Sequence, residues 1–148
     1  MTLVLSCIAP EYAVQVSDRC LTDLRTGIAV EQEANKAVVL SNRVAFAYTG
    51  LARIEGKPTD IWLRDALVPH QSIGGAVQVI VDEATRAFRG IAGPQCRKHQ
   101  AFVGAGWARF PHLGRALRPF GVTISNAFDE EGHWLWRQRP SSWRAEKS

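Results

Sequence analysis

Four residues in the first third of the chain carry its most specific chemistry: Thr2, Asp18, Lys36 and Gly50. A threonine that becomes the first residue of a chain has both a hydroxyl and a free α-amine. Its Oγ attacks a carbonyl while its own amine, directly or through a water, takes the proton. The small side chain at Thr2 favours removal of Met1, which would free that amine. Such an amine titrates near about 7.7–8.0. A neighbouring lysine cation favours its neutral, proton-accepting form, and a carboxylate holds the lysine in place. Asp18 in SDR and Lys36 in NKAVVL supply that pair. Gly50 in AYTGLA ends a strand-like run, where a backbone N–H can face a developing oxyanion. Taken singly, each has an ordinary role as well: Thr2 as a β-former, Asp18 as a turn cap, Lys36 as a strand-end charge, Gly50 as a turn glycine.

Other chemistries find less support. GAGW at 104–107 matches neither a P-loop nor the dinucleotide fingerprint, and no helix start follows it closely. Nothing like GxSxG marks a nucleophile elbow. His70, His99, His112 and His133 are scattered without a metal-ligand spacing, so no metal is expected, and no organic cofactor either. Cys7, Cys20 and Cys96 form no CxxC pair and are odd in number, which reads as free thiols in a reducing compartment.

The elements that must position these residues follow from periodicity. Residues 2–9 form a short apolar run ended by Pro10, and 12–17 alternate, so the two predict a β-hairpin turning at Pro10-Glu11. Residues 28–33 are weaker strand material. Lys36–Leu40 and Val44–Thr49, split by Ser41-Asn42-Arg43, predict a second hairpin. If the two hairpins pair as one sheet, Thr2, Asp18, Lys36 and Gly50 converge at one end of it. The period then changes. Lys57-Pro58-Thr59-Asp60 starts a helix that stops before Pro69. Ser72 caps a second, with Ile73, Val77, Ile80, Ala84, Phe88 and Ile91 on one face and Gly90 and Gly93-Pro94 at its end. Strands return at Gln100–Val103, Phe120–Ser125 and His133–Trp136, the last two joined through a turn at Glu131-Gly132. Strands, then helices, then strands predict a layered α+β fold.

This order resembles the proteasome β-subunit and HslV-like family, the threonine-type N-terminal nucleophile hydrolases. The matching pieces are Thr2 at the head of TLVL, SDRCLT at 17–22, NKAVVL at 35–40 and VAFAYTGLA at 44–52, and the likeness extends more loosely over residues 2–136. The resemblance implies an αββα sandwich, here incomplete, with the second helical layer missing. It makes Thr2 the nucleophile, Asp18 and Lys36 its activating pair, and Gly50 an oxyanion donor. Tyr48 and Cys20 fall near the family's pocket and are equally at home in a core. Trp62, Trp107, Trp134 and Trp136 read as packing. Ser141 and Ser142 in PSSWR do not match the family's Gly-flanked serine loop and take no role. The implied activity is peptide-bond hydrolysis in a cytoplasmic homo-oligomer acting on peptides or unfolded protein, with any unfoldase partner unknown. The alternative is a non-catalytic or truncated subunit that acts in assembly only.

Composition agrees with one domain over 1–136 and a polar, basic, frayed tail at 137–148. The 148 residues are 46% hydrophobic and 22% charged, enough for a sizeable core and too apolar for a disordered chain. No apolar run reaches the length of a membrane span, and the N-terminal run lacks a basic flank and carries acids, unlike a signal peptide. The net charge of +4 is uneven: no acid lies between Glu83 and Asp129, while Arg86, Arg89, Arg97, Lys98, Arg109, Arg115 and Arg118 do. That stretch reads as a solvated or assembly face before a nucleic-acid footprint, since no recognition motif accompanies it.

Overall fold

The computed structural model describes residues 3–23, 26–69, 72–90, 100–110, 116–128 and 134–141. The expectations for Thr2, Ile91, Gly93-Pro94, Cys96, the four histidines and the turn at Glu131-Gly132 lie outside the described residues.

The protein is a small mixed α+β domain, with two helices among the described residues and antiparallel strands. The first hairpin forms as the alternation requires: β1 (Val4–Ile8) pairs with β2 (Ala13–Ser17), and Ala9 N–H to Tyr12 C=O closes the turn at Pro10-Glu11. A short pair follows, β3 (Leu21–Thr22) with β4 (Ala29–Glu31). The second hairpin joins β5 (Ala37–Leu40) to β6 (Val44–Thr49) through Ser41 and Asn42, both at positive φ. That is the handedness a tight hairpin turn needs.

Between β6 and the first helix lies a miniature hairpin that periodicity does not reveal, β7 (Arg53–Ile54) with β8 (Lys57–Pro58). Its turn is Glu55-Gly56, with Glu55 itself at φ 50°. The Glu55 carboxylate accepts bonds from Trp62 Nε1 (3.2 Å) and from both Nη atoms of Arg86 (2.8 and 3.4 Å), so the strained turn ties both helices together. Helix α1 (Thr59–Leu67) starts after Pro58, which sits at the N-cap rather than in the first turn. Helix α2 (Ile73–Arg89) is capped as expected, Ser72 Oγ accepting the Gly75 N–H, and ends at Gly90.

The remaining strands are longer than the sequence suggests. β9 (Ala101–Arg109) continues through GAGW, which the reading above ends at Val103. The glycines are there for close approach. A Cβ on Gly104 would lie 2.7 Å from the Phe46 ring, and one on Gly106 (φ 154°) 2.1 Å from the Arg43 carbonyl oxygen. β10 runs Leu117–Phe128 and β11 runs Trp134–Ser141, so Arg137–Ser141 continue a strand rather than fray.

Five strands make one antiparallel sheet in the order β11-β10-β9-β6-β5. The β1–β2 hairpin is not an edge of that sheet, which corrects the expectation that the two hairpins pair. It packs across β6, β9 and β10, as only a stacked layer can. Phe46, Tyr48, Phe102, Val122 and Ile124 form one face of the sheet and the core beneath the helices, where Trp62 stacks on Phe102 with ring centroids 5.8 Å apart. Ala47 and Ala105, on the other face, are also buried. Small side chains let the hairpin sit close there, and Gln15 Nε2 donates to Val103 C=O across the gap (3.0 Å).

The outward face of the hairpin is different. Leu3, Leu5, Tyr12, Val14 and Val16 are each about half exposed, and no described element lies over them. Within the basic stretch, Arg86 is paired with Glu55 and Glu83. No described helix is long and apolar enough to cross a membrane.

Candidate functional site

The site forms where three segments meet at one end of the two stacked layers: the head of β1, the exit of β2 and the entry to β5. Leu3 and Asp18 close the hairpin reciprocally. The Asp18 N–H donates to Leu3 C=O (3.1 Å), and the Leu3 N–H donates to Asp18 Oδ2 (2.6 Å). Just beyond, Ala34 N–H reaches Arg19 C=O (3.1 Å) and the Arg19 guanidinium reaches Glu33 C=O (2.6 Å). These bonds lay the approach to β5 alongside the exit of β2.

That alignment buries Lys36, whose side chain is 1% exposed. A buried ammonium needs compensating acceptors. Lys36 Nζ donates to Asp18 Oδ1 (2.5 Å) and to Cys20 C=O (2.5 Å). Asp18 Oδ1 also accepts the Cys20 N–H (3.2 Å). The Lys36 ammonium holds the Asp18 carboxyl below its ordinary range against the opposing effect of desolvation, and the Leu3 and Cys20 amides add smaller contributions in the same direction. The carboxylate therefore bridges a buried cation and the backbone of the residue that follows Thr2.

Tyr48 fixes the Lys36 segment from β6. Its N–H donates to Lys36 C=O (3.1 Å) and its hydroxyl to Asn35 C=O (3.3 Å). Burial, and secondarily the charges of Asp60 and Glu31, push its phenol up to about 12, so it is a neutral donor. Two residues further along, Gly50 has φ 118°, a conformation reserved for glycine. It is exposed, and its N–H donates to no described residue.

Of the four predicted residues, the structure joins Asp18 to Lys36 directly and sets Gly50 at the same end of the sheet. Thr2 is outside the described residues, but its neighbour Leu3 is bonded to Asp18. Cys20 enters through its backbone, and Tyr48 by orienting the lysine. Two buried polar residues near Gly50, Thr59 and Gln100, escaped sequence reasoning. Thr59 reads as an ordinary helix start, and Gln100 as the polar head of an apolar run.

Elsewhere, a cleft of about 240 Å³ at the opposite end of the sheet is lined by Leu40, Arg43, Ile73, Trp107 and Arg109 and contains none of the predicted residues. Among the described residues no group of three His, Cys, Asp or Glu side chains is gathered as metal ligands. What the fold and site define is a mixed α+β domain with a lysine–aspartate pair, its lysine buried and its aspartate partly open, beside its first strand. Comparison with protein-family models, curated proteins and solved structures finds no match.

Proposed function

We propose that the chain is a threonine-type N-terminal nucleophile hydrolase of proteasome-subunit kind, cleaving peptide bonds through Thr2 once Met1 is removed. The observation that carries this is the Asp18 carboxylate, bonded at once to the buried Lys36 ammonium and to the Leu3 N–H. On this reading the helices, the five-stranded sheet and the β1–β2 hairpin are the α, β and β layers of an αββα sandwich, with no second helical layer among the described residues.

In the reaction, Thr2 Oγ attacks the substrate carbonyl carbon and its proton passes to the Thr2 amine. The Lys36 cation favours the neutral amine beforehand, and Asp18 positions the lysine. The Gly50 N–H stabilises the tetrahedral oxyanion. Collapse breaks the C–N bond, and the leaving amine takes the proton. The remaining ester on Thr2 is hydrolysed by water, which regenerates the hydroxyl. No metal or organic cofactor enters this scheme, and the proposed setting is a cytoplasmic homo-oligomer.

The test is the intact mass before and after incubation with a peptide epoxyketone, which bridges a terminal threonine's hydroxyl and amine. Loss of Met1 with a single adduct, absent from Thr2→Ala, supports the reading. Full peptidase activity in Thr2→Ala overturns it.

A second reading, a non-catalytic subunit of the same kind acting in assembly, draws on the half-exposed apolar face of Leu3, Leu5, Tyr12, Val14 and Val16. It predicts retained Met1, no adduct, and self-association through that face. Peptide turnover by the purified protein would refute it.

A further inference from the structure

Three polar side chains are buried among the described residues: Lys36, Thr59 (0% exposed) and Gln100 (2% exposed). Lys36 belongs to the site above. The other two act on the backbone that follows Gly50. Gln100 Oε1 accepts the Leu51 N–H at 2.6 Å, and Thr59 Oγ1 donates to the Leu51 carbonyl at 2.7 Å. The Thr59 N–H donates to the next carbonyl, that of Ala52 (3.0 Å). Both clamps are themselves anchored. Thr59 is the first residue of α1, and Gln100 is locked to β10 by its N–H to Asn126 Oδ1 (2.8 Å) and its C=O to the Asn126 N–H (3.2 Å).

The peptide planes on either side of Gly50 are therefore both fixed. The one before it belongs to Thr49, which pairs with Ala101 in the sheet. The one after it ends in the Leu51 N–H that Gln100 holds. Glycine, the residue with the most backbone freedom, is left with little freedom here. Its N–H, carried by the first of these planes, is held between the sheet on one side and, on the other, a backbone stretch clamped by two buried side chains.

Gln100 is a costly way to achieve this, because its Nε2 is buried with no partner. A methionine of similar length would avoid that orphan donor. What it lacks is the acceptor for Leu51.

We infer that Gln100 and Thr59 are positioning residues that preset the Gly50 N–H for the oxyanion; the inference rests on the hydrolase reading. Fixed donors stabilise developing charge without reorganising at the moment of reaction, so loosening them affects the chemical step rather than binding.

The test uses the full chain and a peptide β-lactone, which acylates a terminal threonine through a tetrahedral intermediate. Saturation kinetics followed by intact mass give kinact and KI. In Gln100→Met and in the isosteric Thr59→Val, kinact is expected to fall about 10- to 100-fold with KI little changed. Thr59→Ser, which restores the hydroxyl, should recover to within about twofold of wild type, and the double variant should lose far less than the product of the two singles. Unchanged kinact in both folded variants overturns the inference, as does a shift confined to KI or thermal stability. If Gln100→Met does not fold, the Thr59 pair decides. A wild type that forms no adduct overturns the hydrolase reading and this inference together, whereas a reactive wild type with equally reactive variants overturns the inference alone.

Discussion

Lys36 and Asp18 meet at 2.5 Å with unequal exposure: the lysine side chain is sealed at 1%, the aspartate open at 31%. The cation thus depends on the anion more than the reverse. Neutralising the carboxylate leaves a buried ammonium without its counter-charge, whereas removing the lysine leaves a carboxylate that water can reach. Asp18→Asn should therefore destabilise at neutral pH by about 1–3 kcal/mol, and more than Lys36→Met does. Urea unfolding at pH 7 measures both. The opposite order would contradict the burial of Lys36 as the dependent partner.

The same carboxylate fixes an acid dependence. Its folded-state value lies below the ordinary 3.8, so the unfolded chain takes up the proton first as pH falls. The stabilisation is fully present above that ordinary value and is lost as pH drops through the lower folded one. The stability difference between wild type and Asp18→Asn should accordingly be constant from pH 7 to 5 and shrink steadily below 4. A difference independent of pH down to 2 would show that Asp18 is not held by Lys36.

Tyr48 sets the alkaline limit. Burial raises its phenol to about 12 from 10.0, so the unfolded chain gives up the proton first as pH rises. Stability from the neutral phenol is whole below pH 10 and declines between 10 and 12. Tyr48→Phe should cost about 1 kcal/mol at pH 8 through the lost bond to Asn35 C=O. In thermal melts from pH 9 to 12, that cost should diminish and then reverse.

Gly104 and Gly106 rank against each other. An added methyl at Gly104 meets side-chain atoms of Phe46 (2.7 Å) and Val122 (2.8 Å), which can shift by rotation. At Gly106 it meets the Arg43 carbonyl oxygen at 2.1 Å, and φ 154° disfavours any side chain. Gly104→Ala should cost about 1–3 kcal/mol, as overpacking does, and Gly106→Ala distinctly more. Chemical denaturation of both variants checks the order.

How much of this was legible from the sequence depends on the range of the signal. β1, β2, β5, β6, α1 and α2 follow from alternation, helical spacing and Ser72 as a cap, all local features. The site pair was legible too, because Asp18 and Lys36 each stand at a strand end. The stacking of β1–β2 on the sheet was not, since it depends on Ala47 and Ala105 being small on one face, and pairing or stacking leaves the same alternation. β9 was cut short because the glycines at 104 and 106 interrupt the apolar run after Val103. What they serve is close contact with Phe46 and Arg43, residues about sixty positions away in the chain. Gln100 and Thr59 were invisible for the same reason: their partner is the main chain of Leu51, and a backbone atom has no letter in the sequence.

The stacked hairpin has one more consequence. Half of the lysine–aspartate site sits on a two-stranded flap with a solvent-exposed outer face, and the other half on the sheet that carries the hydrophobic core. The flap can detach in a sub-global opening that leaves the core closed. Amide exchange at Leu3, Val14 and Val16 should then report a smaller free energy than exchange at Phe46 or Phe102. Integrity of the site and integrity of the domain become two separate quantities, and a substitution confined to the flap can abolish the first while a thermal melt registers only the second.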